Sequence, residues 1–243
     1  MKKMLKAAAV LAAILMALTL GACSDGDDGG SGSGGGGGKP QGETFTKFDV
    51  PENGIYYVNK AGEISDEEKD GYVFKVRILL GDEYNPYQCT LEEYTGSDSS
   101  LSIPEGITSI GQLAFDGCEE LRSVILLKGI NGINSYAFNE CAALTTVEFK
   151  GVLHTGYTFG DTYVPLNGSI AEKAFYNCDK LVTVKYAGTK EQWNSISSSN
   201  DYHMPSGRIF YSDEDYQGER VTVECRDGKL KAGGVNGYFE DAE

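Results

Sequence analysis

The side chains best suited to nucleophilic or metal chemistry are six cysteines, Cys23, Cys89, Cys118, Cys141, Cys178 and Cys225, and two histidines, His154 and His203. A zinc site needs closely spaced ligands, as in C-x₂-C or H-E-x-x-H, and neither spacing occurs. No G-x-S-x-G elbow, phosphate-binding Walker loop or dinucleotide fingerprint appears. Asp25, Asp27 and Asp28 lack the ligand spacing and closing glutamate of a calcium loop. Asp and Glu total 36, so counting alone leaves a glycosidase pair open. No catalytic residue, metal or cofactor is assigned. Three of the cysteines instead recur at one position of a repeat.

That repeat is Ala114-Phe115-x-x-Cys118-x-x-Leu121-x-x-Val124, which returns as Ala137-Phe138-x-x-Cys141-x-x-Leu144-x-x-Val147 and as Ala174-Phe175-x-x-Cys178-x-x-Leu181-x-x-Val184. The first step is 23 residues (114 to 137) and the second 37 (137 to 174), an insertion of 14. A fixed period of this length marks a solenoid, in which each unit buries its apolar edge only against its neighbours. Leu121-x-x-Val124-x-Leu126, Leu144-x-x-Val147-x-Phe149 and Leu181-x-x-Val184-x-Tyr186 predict short parallel strands. Ile107 and Ile110, then Ile130 and Ile133, with Ile170, predict a second inward ridge. The Ala-Phe-x-x-Cys segment is expected as a short helical or 3₁₀ turn with Phe and Cys facing inward. The stacked cysteines would lie one repeat apart, so pairing is open on distance. The reading preferred is that each fills a tight inward site as a free thiol. Cys89 and Cys225 fall in opposite end segments.

The run Ile103-Pro104-x-x-Ile107-x-x-Ile110-Gly111-x-x-Ala114-Phe115-x-Gly117-Cys118-x-x-Leu121-x-x-Val124 resembles the BspA-like, or treponemal-type, leucine-rich repeats of bacterial surface proteins. The resemblance implies a leucine-rich repeat solenoid with short parallel strands, short helical or 3₁₀ turns and β-rich caps at both ends. It also implies a secreted or surface protein, with adhesion or protein binding as its role.

The first residues read as an export signal. Lys2, Lys3 and Lys6 precede the apolar run Ala7 to Leu20, too short to span a membrane. Leu20-Gly21-Ala22-Cys23 resembles the lipobox of bacterial lipoproteins, so Cys23 is expected to carry lipid and to open the mature chain. Nine of the fifteen residues from Ser24 to Gly38 are glycine, which suits a flexible tether. The acidic stretch after Cys23 resembles a surface-export signal and favours the bacterial outer membrane or cell surface. The formal net charge of −15 disfavours nucleic acid and anionic membrane as partners.

The expected organisation is a signal peptide at 1–22, a lipidated cysteine and tether at 23–42, and an N-terminal β cap at 43–88. Repeats follow at 89–187 with an insertion near 152–167, then a C-terminal cap at 188–243. In that cap, Thr189-x-x-Gln192 predicts a capped helix carrying Trp193, Arg208 to Tyr211 and Arg220 to Cys225 predict strands, and Asp227-Gly228 predicts a hairpin turn. Two candidate contact surfaces emerge. One is the outer strand face, where Ile125 and Leu127 are apolar. The other is the insertion, expected as a loop bearing Tyr157, Phe159 and Tyr163. The partner expected is an extracellular protein, of host or microbe, with the membrane reached only through Cys23. An envelope spacer, and a carbohydrate-binding or enzymatic lipoprotein, are the alternatives.

Overall fold

The computed structural model describes residues 47–81, 87–159, 162–167, 169–196, 207–210, 221–232 and 239–242. The chain divides into two units, Met1–Gln41 and Gly42–Glu243, and every described residue lies in the second. The expected signal segment, Cys23 and the tether fall outside the described residues.

The repeats build two sheets. Strands β5 (Ser100–Ile103), β7 (Ser123–Leu126), β9 (Thr146–Phe149) and β13 (Thr183–Tyr186) pair in parallel, with Leu101, Val124, Val147 and Val184 in register. In each of these strands buried residues alternate with more exposed ones, the period-2 pattern of a sheet with one face on a core. The second ridge forms the two-residue strands β6 (Ser109–Ile110), β8 (Gly132–Ile133) and β12 (Ser169–Ile170), also parallel, with Ile110, Ile133 and Ile170 in register. The molecule is a repeat solenoid.

The turn joining the two sheets in each repeat differs from a helix in an instructive way. Ala114 N–H donates to Gly111 O, Asp116 N–H to Leu113 O, and Cys118 N–H to Phe115 O, the i to i−3 pattern of a 3₁₀ turn. It cannot propagate, because two residues per repeat are left-handed: Leu113 and Gly117, Tyr136 and Glu140, Lys173 and Asn177, with φ between 55° and 64°. The reversals leave other amides free to bond the next repeat. Phe115 N–H donates to Ala137 O at 2.8 Å, Phe138 N–H to Ala174 O at 2.9 Å, and Gly117 N–H to Asn139 O at 2.9 Å. The turn edge is therefore stitched from rung to rung as the sheets are.

Inside, the phenylalanines form a column. Phe115 and Phe138 stack at 4.7 Å and 3°, and Phe138 and Phe175 at 5.0 Å and 11°. Tyr94 extends the column at one end and Phe210 at the other. Both also follow the backbone pattern, since Tyr94 N–H donates to Ala114 O and Phe175 N–H to Ile209 O. Glu93-Tyr94 and Ile209-Phe210 thus stand where other rungs have Ala-Phe. This explains why 208–210, expected to lie in a strand, lie instead in the 3₁₀ helix Gly207–Phe210. Its position is that of the repeat's turn. The thiols stack beside the rings and are free. Cys141 Sγ donates to Phe115 O at 3.1 Å and Cys178 Sγ to Phe138 O at 3.0 Å.

The caps close the stack with antiparallel strands. At the N-terminal end β1 (Gly54–Val58) pairs with β2 (Ile64–Ser65) and β3 (Phe74–Leu79). Strand β4 (Gln88–Tyr94) is antiparallel to β3 yet parallel to β6, with Leu91 opposite Ile110. It belongs to the cap and to the repeat column at once. At the other end β14 (Thr222–Cys225) continues the parallel sheet beside β13, and β15 (Gly228–Ala232) and β16 (Phe239–Ala242) fold back antiparallel. The hairpin loop is Arg226-Asp227, one residue earlier than the Asp227-Gly228 signal indicates, because Cys225 pairs with Gly228. The helix α1 (Lys190–Asn194) has the full Thr189/Gln192 capping box. It buries Trp193 among Phe149, Tyr186 and Phe239.

Phe138 is fully buried between two stacked rings. Phe138→Ala should cost about 3–5 kcal/mol through lost burial and the cavity left behind, read as a lower urea midpoint at unchanged slope. A loss under about 1 kcal/mol would mean the column does not hold the repeats together.

Candidate interaction surface

Because the strands are parallel and in register, equivalent outward residues form rows across the larger repeat sheet. The first row is Ser100, Ser123, Thr146, Thr183 and Thr222, and Ser123 Oγ donates to Ser100 Oγ at 2.8 Å. The second is Ser102, Ile125, Glu148, Lys185 and Glu224, continued by Lys229 on β15. The third runs through Leu127, Lys150 and Ala187, its register carried past the strand ends by Lys150 N–H to Leu126 O and Ala187 N–H to Phe149 O, while Arg226 N–H bonds to Gly188 O, two residues beyond the register of β13 with β14. Glu148 pairs with Lys150, and Glu224 with Lys229 at 3.0 Å.

Ile125 and Leu127 lie on this face, both half-buried. They are the apolar positions of the second and third rows apart from Ala187, flanked by Ser102 on one side and Glu148 and Lys150 on the other. Among the described residues the more exposed large apolar side chains are elsewhere: Leu79, Leu80, Leu113 and Val182.

The insertion is a β-hairpin rather than an irregular loop. Strands β10 (His154–Phe159) and β11 (Thr162–Asn167) pair antiparallel as a separate sheet. Tyr157 stands opposite Val164, Tyr163 opposite Thr158 and Phe159 opposite Thr162. The β-branched and aromatic residues that made these positions attractive as contacts are also strong strand formers, and only Gly160-Asp161 separates the two runs. Leu153, immediately before the hairpin, is buried, and its N–H donates to Tyr186 Oη at 3.3 Å.

Four thiols, Cys89, Cys118, Cys141 and Cys225, are shifted away from activation. Burial pushes Cys225 up to about 11 and Cys89 up to about 12. Hydrogen bonding with Cys141, then burial, raises Cys118 strongly. A nucleophilic cysteine needs the opposite shift. Among the described residues no group of three His, Cys, Asp or Glu side chains is placed to hold a metal ion.

The triplets Thr146-Val147-Glu148, Thr183-Val184-Lys185 and Thr222-Val223-Glu224 mark successive strands of the same face. This was the available signal that β14 is a further rung, and it was missed because β14 lacks the Ala-Phe-x-x-Cys preface at the usual distance.

Parallel rungs, a second ridge of short strands and a turn edge define a leucine-rich repeat protein. Residues 92–198 match the family described as "BspA type Leucine rich repeat region", in 6 copies, and this region is BspA-like. No curated protein matches it. Among solved structures it is similar to a leucine rich repeat protein of T. pallidum, at 18% identity and TM-score 0.37, covering 54% of this chain and 64% of that one. It is similar also to a leucine-rich repeat protein from Bacteroides ovatus, at 17% identity and TM-score 0.37, covering 66% of this chain and 37% of that one. A leucine rich cell surface protein from Faecalibacterium prausnitzii matches at 21% identity and TM-score 0.24, covering 53% and 41%. The chain thus spans less than two thirds of the length of each.

Site-resolved alkylation tests the thiol environment. At pH 8, Cys225 should carry about a hundred-fold less thiolate than an ordinary thiol and react correspondingly slowly, accelerating as pH approaches 11. Cys89 and Cys141, both fully buried, should label only on unfolding. Fast labelling of Cys141 in native buffer would contradict its bond to Phe115 O.

Proposed function

We propose that this is an exported, lipid-anchored surface protein that binds an extracellular protein partner through the outer face of its larger repeat sheet. The observation that carries the reading is the half-buried pair Ile125 and Leu127 on a face otherwise made of hydroxyls, charges and Ala187. Apolar side chains at the centre of a polar surround are the arrangement of an interface core and rim. The parallel register supports it, because rigid strands hold contact residues in place without ordering cost on binding. The hairpin with Tyr157, Phe159 and Tyr163 is the second contact in this reading. The Lys-rich start, the apolar run and Leu20-Gly21-Ala22-Cys23 support anchoring through a diacylglycerol on Cys23, with the Gly-rich stretch as tether. Each buried lipid CH₂ contributes roughly 0.8 kcal/mol to membrane retention.

Extracellular proteins from the organism's surroundings would be captured on purified protein, comparing wild type with the Ile125→Glu/Leu127→Glu variant. The variant should keep its thermal midpoint within a few degrees, since both positions face outward, and should lose capture at least tenfold. Equal capture by a folded variant would remove this face from the interface. Protease added to intact cells should cleave a displayed protein; survival of the full chain would place it away from the outer surface.

A further inference from the structure

At the C-terminal end of the same face, a groove of about 370 Å³ opens over the ends of β9, β13 and β14. Its outward lining is Glu148, Lys150, Lys185, Ala187, Glu224 and Arg226. Ala187 makes the groove. In its row it stands beside Lys150, and its methyl leaves a notch between that side chain and Arg226, which lines the groove from just past the end of β14. The charges are unevenly satisfied. Glu148 is held by Lys150 and Glu224 by Lys229. Lys185 lies between these two carboxylates in register, yet each is engaged elsewhere. Among the described residues no ion pair engages the side chain of Lys185 or of Arg226. Two unengaged cations therefore border a notch in a chain whose formal charge is −15.

We propose that this groove receives an aspartate or glutamate side chain from an acidic segment of a protein partner. A guanidinium fork binds a carboxylate bidentately, and Lys185 supplies a second donor across the notch. Glu148 and Glu224 on the rim oppose a dianion such as a phosphate and leave room for a single negative charge. A sugar acid fits less well: Phe149 and Tyr186 are almost wholly buried beneath the groove, so no exposed ring is offered for a pyranose to stack on. The net charge does not forbid an acidic ligand, because at physiological ionic strength charges beyond about 8 Å are screened. The proposal rests on the partner-binding reading of this face, but its assay reports the groove alone and needs neither Ile125 nor Leu127.

Hexaglutamate would be titrated into the full-length protein at physiological salt and followed by calorimetry. Saturable one-site binding is expected. Lys185→Ala/Arg226→Ala should weaken it at least tenfold, and Ala187→Trp, which fills the notch without changing charge, should weaken it similarly. Arg122→Ala/Lys180→Ala, which removes the same charge from exposed positions elsewhere, should stay within about twofold of wild type. No saturable binding, or wild-type affinity in the Lys185/Arg226 variant, overturns the proposal. So does tighter binding of an oligogalacturonate of equal charge. Because Ile125→Glu/Leu127→Glu should leave hexaglutamate affinity unchanged, loss of the groove and loss of the apolar contact give different results.

Discussion

Each repeat carries one phenylalanine whose ring has two faces, and only the rungs on either side can cover them. Phe115, Phe138 and Phe175 are buried to within about one per cent because each lies parallel to the next. One repeat alone would expose its column, its thiol and its strand edges together, so stability is collective. The ends then become a problem of chemistry. Tyr94 and Phe210 meet it with a further aromatic ring, and each of these meets a ring of its cap, Phe74 and Phe239. Tyr94 also gives its hydroxyl to Asp98 at 2.5 Å. That carboxyl, held below the usual range first by Lys60 and then by Tyr94 itself, gives the polar tip of the ring a partner where the repeats meet the cap.

The turn edge shows how the backbone serves that column. A helix would satisfy its amides internally and leave nothing for the neighbouring rung. Two left-handed residues per repeat stop the helix and release amides towards the next carbonyl. The thiol completes the arrangement, since Cys141 and Cys178 each donate to the carbonyl of the preceding rung's phenylalanine. Serine could make that bond but would cost more to bury, and alanine would leave the carbonyl without it. The recurring cysteine is thus explained by packing and hydrogen bonding together.

What was legible in the sequence is what repeats without exception. Ala-Phe-x-x-Cys and Leu-x-x-Val located the rungs, and Thr189 with Gln192 located the capped helix over Trp193. What escaped is where the pattern degenerates. Ile209-Phe210 reads as strand because both residues favour strands, and only the bond from Phe175 N–H to Ile209 O shows it to be a turn. Glu93-Tyr94 escaped for another reason: the pair ends strand β4, and only the bond from Tyr94 N–H to Ala114 O shows that it also holds the Ala-Phe position. The left-handed positions are occupied by Leu113, Tyr136 and Lys173, side chains that carry no signal for that conformation, while Gly117 and Asn177 do. The insertion, expected as a loop, pairs as a hairpin because its aromatic and β-branched residues satisfy each other's backbone before any partner arrives. Of the candidate surface, the outward positions of three strands followed from alternation alone. The groove did not, since Arg226 belongs to a rung that only the structure aligns.

The surface inherits its order from the core. Parallel stacking places like residues side by side, so the outer face becomes rows of hydroxyls and alternating charges, broken at Ile125, Leu127 and Ala187. Amide hydrogen exchange at Phe115, Phe138 and Phe175 tests the stack most directly, because each of these amides bonds to a carbonyl of the following rung. All three should exchange together and only as fast as the whole stack unfolds. Exchange at the rates of an unstructured peptide, or at three unrelated rates, would contradict a single cooperative column.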